Sequence, residues 1–443
     1  VAVDQLLSGL LALGVNAVRV GAVAKVTNDA LRQASVQFLF DNHPRLHELQ
    51  ELREELTELG DEVFELRREV ARAENIQRRA AAASAEAVYE EKEEKDDKGD
   101  DEEKVAQAQD KLSWAKEDHK KKRREVRRVE GEITSEILHG ADVVCSTLAG
   151  CGGADMHGKK FDIVLLDEAT QATAPRALIA VNKLSEHGRL VLVGDQQQLP
   201  PVCISQKAKN MGLGTSLFEG LLGHEFLAPA MLKVQFRMHP LISEWPSQRF
   251  YGGQLLNGVS ADDRLPMPGL SWPQAGGVAF VPSSEDEGST PDGSSKLNHG
   301  ECGIVRELLD HVLQYVPAEE IGVLTPYRGQ VGLLKRALQG QVEVRTVDGY
   351  QGREKAMIVM SCVRSNPEGR VGFLSDYRRL NVALTRAQRG LIVIGNPATL
   401  ENDPHWQDWL AFVDDKGLRV DLETLLVSAR EGHRPRSEPI ETY

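Results

Sequence analysis

The 443-residue sequence contains no run of eighteen apolar residues, which excludes a membrane-spanning helix. Its apolar opening, "LLSGLLALGV", lacks the basic flank and small-residue cleavage site of a signal peptide. The five cysteines, Cys145, Cys151, Cys203, Cys302 and Cys362, are odd in number and never spaced as C-x-x-C. Neither a disulfide framework nor a zinc module is indicated, and the thiols read as reduced and intracellular. There is no excess of positive charge: the net charge of -14 argues against indiscriminate coating of nucleic acid. Half of that charge lies in residues 86–104, with eleven acids and four lysines, so a local basic groove remains compatible with it. An initiator methionine is missing too. The chain opens at Val1, inside what reads as an element already under way, and the expectation is a fragment of a longer protein.

What is present is 41% hydrophobic residues over a length that suits two to four domains. Between Pro44 and Ala73 the residues Leu49, Leu52, Leu56, Leu59, Val63, Leu66, Val70 and Ala73 alternate three- and four-residue steps, the 3.5-residue period of a coiled coil. Asn42 is positioned to cap this helix. The same period returns through Val105, Ala108, Leu112, Ala115, Val126, Val129 and Ile133, with His119 and Lys122 at seam positions. The pattern predicts an antiparallel helical hairpin over 42–139 with an acidic tip, "EEKEEKDDKGDDEEK" (90–104), too charged to bury. The basic run "KEDHKKKRREVRR" (116–128) could meet phosphate, but on a helix of this kind an exposed solvated face is the favoured reading.

From Ala141 the texture changes to short β-branched runs: "ADVVCST", "FDIVLLD", "GRLVLVGD", "EIGVLTP", "EVRTVDG", "AMIVMSCV" and "GLIVIGN". Apolar throughout and ending in Asp, Gly, Thr or Ser, they read as parallel strands covered on both faces by helices, an α/β architecture whose ligands sit beyond the strands' carboxyl ends.

Asp167 and Glu168 close "FDIVLLD", which suits an aspartate holding magnesium and a glutamate polarising water; alone, the pair is as well explained by two exposed acids. "VLVGDQQQLPP" offers Gln198 as a reporter of the γ-phosphate, with the following prolines, Pro200 among them, fixing the loop exit. "VQFRMHP" and "RRLNVALTRAQ" carry Arg237 and Arg386, and a guanidinium forks onto phosphate oxygens. Taken in order, DEATQ, GDQQQLPP, QFRMHP, TPYRGQ, TVDGYQGREK and RRLNVALTRAQ resemble the superfamily 1 helicases of the up-frameshift type, the family that includes the helicase of nonsense-mediated decay.

The resemblance implies two RecA-like parallel-sheet domains: a first over 1–41 and 140–231, N-terminally truncated and interrupted by the hairpin, and a second over 232–420, followed by a tail at 421–443. It implies ATP and Mg2+ as ligands, with Asp167 and Glu168 at the metal, and Gln198, Arg237 and Arg386 at the γ-phosphate. Phe236, where the family usually has tyrosine, would lie against base or sugar, and Glu354 at the ribose. Nucleic-acid contacts would come from Ser146, Thr147, Pro200, Thr325, Pro326, Tyr327, Thr346, Val347 and Asp348, hydroxyls and strand-end amides suited to a single-strand backbone rather than to bases. The implied function is a 5′-to-3′ ATP-dependent helicase on single-stranded RNA. Its setting is the cytoplasm, with the nucleus as a second compartment, as a monomer beside mRNA-decay partners and away from membranes. Two alternatives stay open: a catalytically inactive nucleic-acid-binding scaffold, and a DNA helicase of the same superfamily.

The family's glycine-rich phosphate loop has no convincing counterpart. "GADMHGKK" (153–160) satisfies G-x-x-x-x-G-K, but Lys160 replaces the magnesium-binding hydroxyl and a strand, not a helix, is expected to follow. "VAVD" at 1–4 matches the segment just after the family's loop. The expectation is that the loop precedes Val1 and that residues 1–443 alone do not hydrolyse ATP.

Overall fold

The computed structural model describes residues 2–21, 28–86, 97–225 and 227–427. They fall into two compact units, Val1–Asp162 with Ile179–Gly188, and Ile163–Leu178 with Arg189–Tyr443. Among the described residues no helix is long and apolar enough to cross a membrane.

In the first unit, helix α1 (Ala2–Ala12) packs its buried Leu7 on strand β1 (Ala17–Val20). Two long helices follow, α2 (Leu46–Glu86) and α3 (Asp97–His139), before strand β2 (Val143–Ser146) pairs parallel to β1 with Ala17 opposite Val143. The helices are antiparallel, as ion pairs Arg53–Glu130 (2.6 Å) and Lys122–Glu55 (2.6 Å) show. Their seam is the predicted one: Leu49, Val70, Val105, Leu112, Ala115, Val126, Val129 and Ile133 are buried. The two seam interruptions have local remedies. Lys122 is paired with Glu55 and Glu125, whose hydrogen bonds raise its pKa, and His119 lies against Gly60, 3.7 Å from where a Cβ would stand. The start differs from expectation. Asn42 ends a preceding helical turn, donating to Phe38 O (2.8 Å), and α2 begins four residues later, where Arg45 clasps Glu48, Glu132 and Glu136. Residues 90–96 of the acidic tip lie outside the described residues.

Because the arms bury their apolar residues chiefly against each other above this clasp, replacing residues 58–121 by a short Gly/Ser linker should leave a cooperative thermal transition in the remainder. Loss of that transition would show that the distal arms hold the domain together.

Strands β3 (Phe161–Leu166) and β4 (Leu184–Leu192) pair with each other. They depart from the expectation of strands covered on both faces: Ile163 (64%), Leu165 (55%) and Val191 (41%) are exposed, because no described residue packs over that face.

The second unit meets the expectation. It is built on strands β5 (Val278–Pro282), β6 (Ile321–Thr325), β7 (Glu343–Thr346), β8 (Lys355–Ser361) and β9 (Ala387–Gly395), all parallel, in the order β7–β6–β8–β9–β5. Alternate residues feed two cores. Phe280, Ile358, Met360 and Val393 face one way, onto helices α4 (Pro240–Tyr251), α7 (Tyr377–Leu384) and α8 (Pro404–Asp415). Ala279, Val281, Met357, Val359 and Ile392 face the other, onto α5 (His299–Val312), α6 (Arg328–Ala337) and α9 (Leu422–Leu426). This is the pattern of a parallel sheet sandwiched between helix layers.

Glu301, fully buried in the first turn of α5, accepts from Ser361 Oγ (2.6 Å) and Val363 N (2.8 Å), and so holds the β-branched Val363 at φ 72°. Burial raises its carboxyl to about 7, against the pull of those donors. The folded value stands above the unfolded one of about 4.3, so the stability from this group is fully present below that pH and is lost as pH rises through about 7. Glu301→Gln should therefore gain roughly 2–3 kcal/mol relative to the parent between pH 5 and 8, as read by urea unfolding. Equal pH slopes for the two proteins would mean that Glu301 is already ionised when folded.

Candidate nucleotide-phosphate site

β3 delivers Asp167 and Glu168 to its carboxyl end, and Glu168 sits at φ 51°, an uncommon conformation for a non-glycine residue and one that concentrates at functional sites. One Asp167 oxygen accepts the Glu168 amide (3.0 Å), and the Glu168 carboxylate accepts from Gln171 Nε2 (2.7 Å) and, at 3.5 Å, from Gln351 Nε2. The chain leaving β4 passes so close to this turn that a Cβ on Gly194 would stand 3.1 Å from Thr170 N, so only glycine fits there without displacement. Asp195 follows at once. Its Oδ1 accepts Gln197 N (2.9 Å) and its Oδ2 accepts Gln198 Nε2 (2.9 Å). With its amide nitrogen given to Asp195, Gln198 turns its Oε1 to the Arg386 guanidinium (3.1 Å).

Arg386 lies at the turn between α7 and β9 and is 2% exposed. Its hydrogen bonds go to neutral acceptors: Val382 O (3.0 Å), Thr385 Oγ1 (3.3 Å) and Gln198 Oε1. Among the described residues it makes no ion pair, and burial together with the nearby Arg237 charge lowers its pKa to about 10. A buried cation next to another cation, with no anion bonded to it, is costly unless an anion arrives. Arg237 converges on the same turn, donating to Thr385 O (3.1 Å) and pairing with Glu354, which also accepts from Gln388 Nε2 (2.8 Å). Phe236 is 65% exposed and rests on Gly258, where any Cβ would strike the ring.

The structure thus brings Asp167, Glu168, Gln198, Arg237, Glu354 and Arg386 into one compact unit, although they come from segments more than two hundred residues apart. Hard carboxylate oxygens at Asp167 and Glu168 suit a magnesium ion carrying its own waters. Among the described residues no group of three or more His, Cys, Asp or Glu forms a cation cluster, so these two acids are the donor set on offer.

The residues expected at nucleic acid are placed less uniformly. In the second unit, Thr325, Tyr327 and Val347 have buried side chains; Tyr327 Oη accepts from Phe373 N (3.1 Å) and Arg364 Nη1 (3.3 Å). Pro326, Thr346 and Asp348 stand beside them with partly open side chains, Thr346 Oγ1 accepting Gly349 N and Asp348 pairing with Arg379. Pro200 is half-buried. Ser146 and Thr147 belong to the first unit, where Thr147 Oγ1 caps a helical turn by accepting Gly150 N (3.1 Å). "GADMHGKK" precedes β3 directly, with the Lys160 amine tied to Asn182 O (2.7 Å), as a loop rather than a phosphate cradle. Sequence reasoning passed over Asp195, Tyr251, Asn381 and Thr385. Asp195 was visible in "GDQQQ", and Asn381 and Thr385 stand inside "RRLNVALTRAQ"; Tyr251 carries no local signal.

Two family models match the chain, each described as an AAA domain, over residues 1–206 and 213–398. A regulator of nonsense transcripts 1 homolog from Neurospora crassa is 42% identical over 320 residues, 68% of this chain and 29% of the relative. The chain belongs to the up-frameshift family of superfamily 1 helicases. Its Drosophila melanogaster homolog of the same name is 39% identical over 332 residues (72% and 28%), and the ATP-dependent helicase NAM7 of Saccharomyces cerevisiae is 41% identical over 324 residues (69% and 33%). The chain spans about three-tenths of the length of these curated relatives. The up-frameshift fold, α/β with RecA-like parallel-sheet domains, agrees with the five-stranded sheet described above.

Proposed function

We propose that the chain acts as an ATP-dependent helicase or translocase on single-stranded nucleic acid, RNA rather than DNA, moving 5′ to 3′ and serving mRNA decay in the cytoplasm. The observation that carries the reading is Arg386, a buried guanidinium with only neutral partners beside a second arginine. The names of the relatives support it, regulator of nonsense transcripts and ATP-dependent helicase. In this reading Asp167 holds magnesium, which supplies charge neutralisation to the transferring phosphoryl group when bound. Glu168 orients and deprotonates the attacking water, held in place by Gln171 and Gln351. Gln198 reports the γ-phosphate, and Arg237 and Arg386 stabilise the charge that develops on its oxygens. Glu354, bonded to Arg237 and Gln388, sets the angle of Arg237 and exchanges toward the ribose when nucleotide enters. Phe236 offers its exposed ring to the base or sugar.

Along the strand, Ser146, Thr147, Pro200, Thr346 and Asp348 contribute side chains, while Thr325, Pro326, Tyr327 and Val347 shape a backbone track. The test is ATP hydrolysis by the full-length protein with single-stranded RNA and with DNA of the same sequence. Stimulation greater by RNA supports the reading, stimulation greater by DNA assigns the DNA alternative, and no hydrolysis with either assigns a scaffold.

A further inference from the structure

Tyr251, the last residue of α4, is chemically conspicuous although nothing in the proposed mechanism uses it. Its hydroxyl donates to Asp195 Oδ2 at 2.6 Å and accepts from Asn381 Nδ2 at 2.8 Å. Asn381 Nδ2 also donates to Gln197 O at 3.0 Å, so one amide group bridges the phenol and the backbone of the "GDQQQ" turn. Asp195 Oδ2 is thereby shared between two donors, the phenol and Gln198 Nε2. Burial and the Asp195 charge push the Tyr251 phenol up, which keeps it a donor at any physiological pH.

The consequence concerns which way round the Gln198 amide lies. A glutamine amide presents either an acceptor or two donors to a given partner, and the two orientations are nearly equal in shape. Its two partners agree on one orientation: the Asp195 carboxylate accepts only and takes Nε2, and the Arg386 guanidinium donates only and takes Oε1. The carboxylate is in turn fixed by Tyr251, and Tyr251 by Asn381 on α7, the helix that leads into Arg386. A continuous relay therefore runs Asn381–Tyr251–Asp195–Gln198–Arg386, joining α4 and α7 to the γ-phosphate reporter.

We propose that Tyr251 is a positioning residue for the nucleotide site, acting through Asp195 to hold the Gln198 amide in place against the Arg386 guanidinium. The proposal rests on the reading of Gln198 and Arg386 as phosphate-facing groups, and its test separates the two.

Tyr251→Phe keeps the ring in the core and removes only the hydroxyl. In the full-length protein it should lower kcat for ATP by roughly tenfold to a hundredfold, the usual effect of losing an outer partner of a site residue, with little change in KM. Introduced into a Gln198→Ala background it should add nothing further, because a relay with its end removed has nothing to transmit. A purely structural tyrosine would give the same loss in both backgrounds, and that additivity would overturn the proposal.

The second readout needs no ATP: the side-chain amide resonances of Gln198, selectively 15N-labelled. They should shift in Tyr251→Phe, which frees Asp195 Oδ2 of one of its two donors, and in Asp195→Asn, which replaces the acceptor-only partner of Gln198 Nε2 by an amide. Unchanged resonances in both variants would overturn the relay whatever the hydrolysis data show. An inactive parent with shifted resonances would instead leave the relay standing and overturn the assignment of the site.

Discussion

Arg386→Ala in the full-length protein is expected to lower ATP turnover roughly a thousandfold while leaving single-strand affinity almost unchanged. The size of the effect follows from the environment. The guanidinium is 2% exposed, anchored through Nε to Val382 O, and aimed by Gln198 and Thr385 without an anion of its own. Such a group is already desolvated and oriented before substrate arrives, which is the condition under which a fixed charge stabilises a transition state most. Lysine in its place keeps a charge but not the fork, and Arg386→Lys should recover little of the loss. None of the residues proposed to meet the strand is among the hydrogen-bond partners of Arg386, so binding of single-stranded nucleic acid measured by fluorescence anisotropy should hold. Turnover within about tenfold of the parent would remove Arg386 from the phosphate site.

Glu168→Gln should have an effect of similar or greater size, a fall of roughly a hundredfold to ten-thousandfold in hydrolysis with nucleotide binding retained. Glu168 occupies left-handed backbone at φ 51°, and its carboxylate is held by two glutamine amides, with no arginine or lysine paired to it among the described residues. Glutamine preserves the shape and removes only the basicity, so tight nucleotide binding with slow turnover is the expected signature. Equal losses of binding and turnover would instead make Glu168 a structural residue of the β3 turn.

The helical hairpin and the second sheet were the most legible parts of the sequence. A 3.5-residue period sustained from Leu49 to Ala73 has one physical solution, and the apolar runs ending in Thr325 and Ser361 could be little else than buried parallel strands. The short strands β1 and β5 escaped notice because four or five residues such as "AVRV" carry no period of their own and are strands only through their neighbours. The start of α2 was misplaced for a related reason. Asn42 is a good cap in isolation, but Ser35 had already opened a helical turn that Asn42 closes.

Within the site, the residues that bear charge were readable, since an arginine in "LTRAQ" or an acid pair after an apolar strand stands out. Those that orient them were not. Tyr251 and Asn381 act across 56 and 130 residues of sequence, and a hydrogen bond of that span leaves no trace in local spacing. The burial of Thr325, Tyr327 and Val347 was equally hidden, because a strand end reads the same whether its side chains face solvent or core.

The most direct test of the central claim, that Arg237 and Arg386 form a γ-phosphate site, is the ratio of affinities for a non-hydrolysable ATP analogue and for ADP, measured by calorimetry on the full-length protein. The parent should prefer the triphosphate in the presence of magnesium. Arg237→Ala and Arg386→Ala should each erase that preference while leaving ADP affinity close to the parent's, since only the γ-phosphate reaches the two guanidiniums. A preference that survives both substitutions, or an equal loss of both nucleotides, would contradict the assignment.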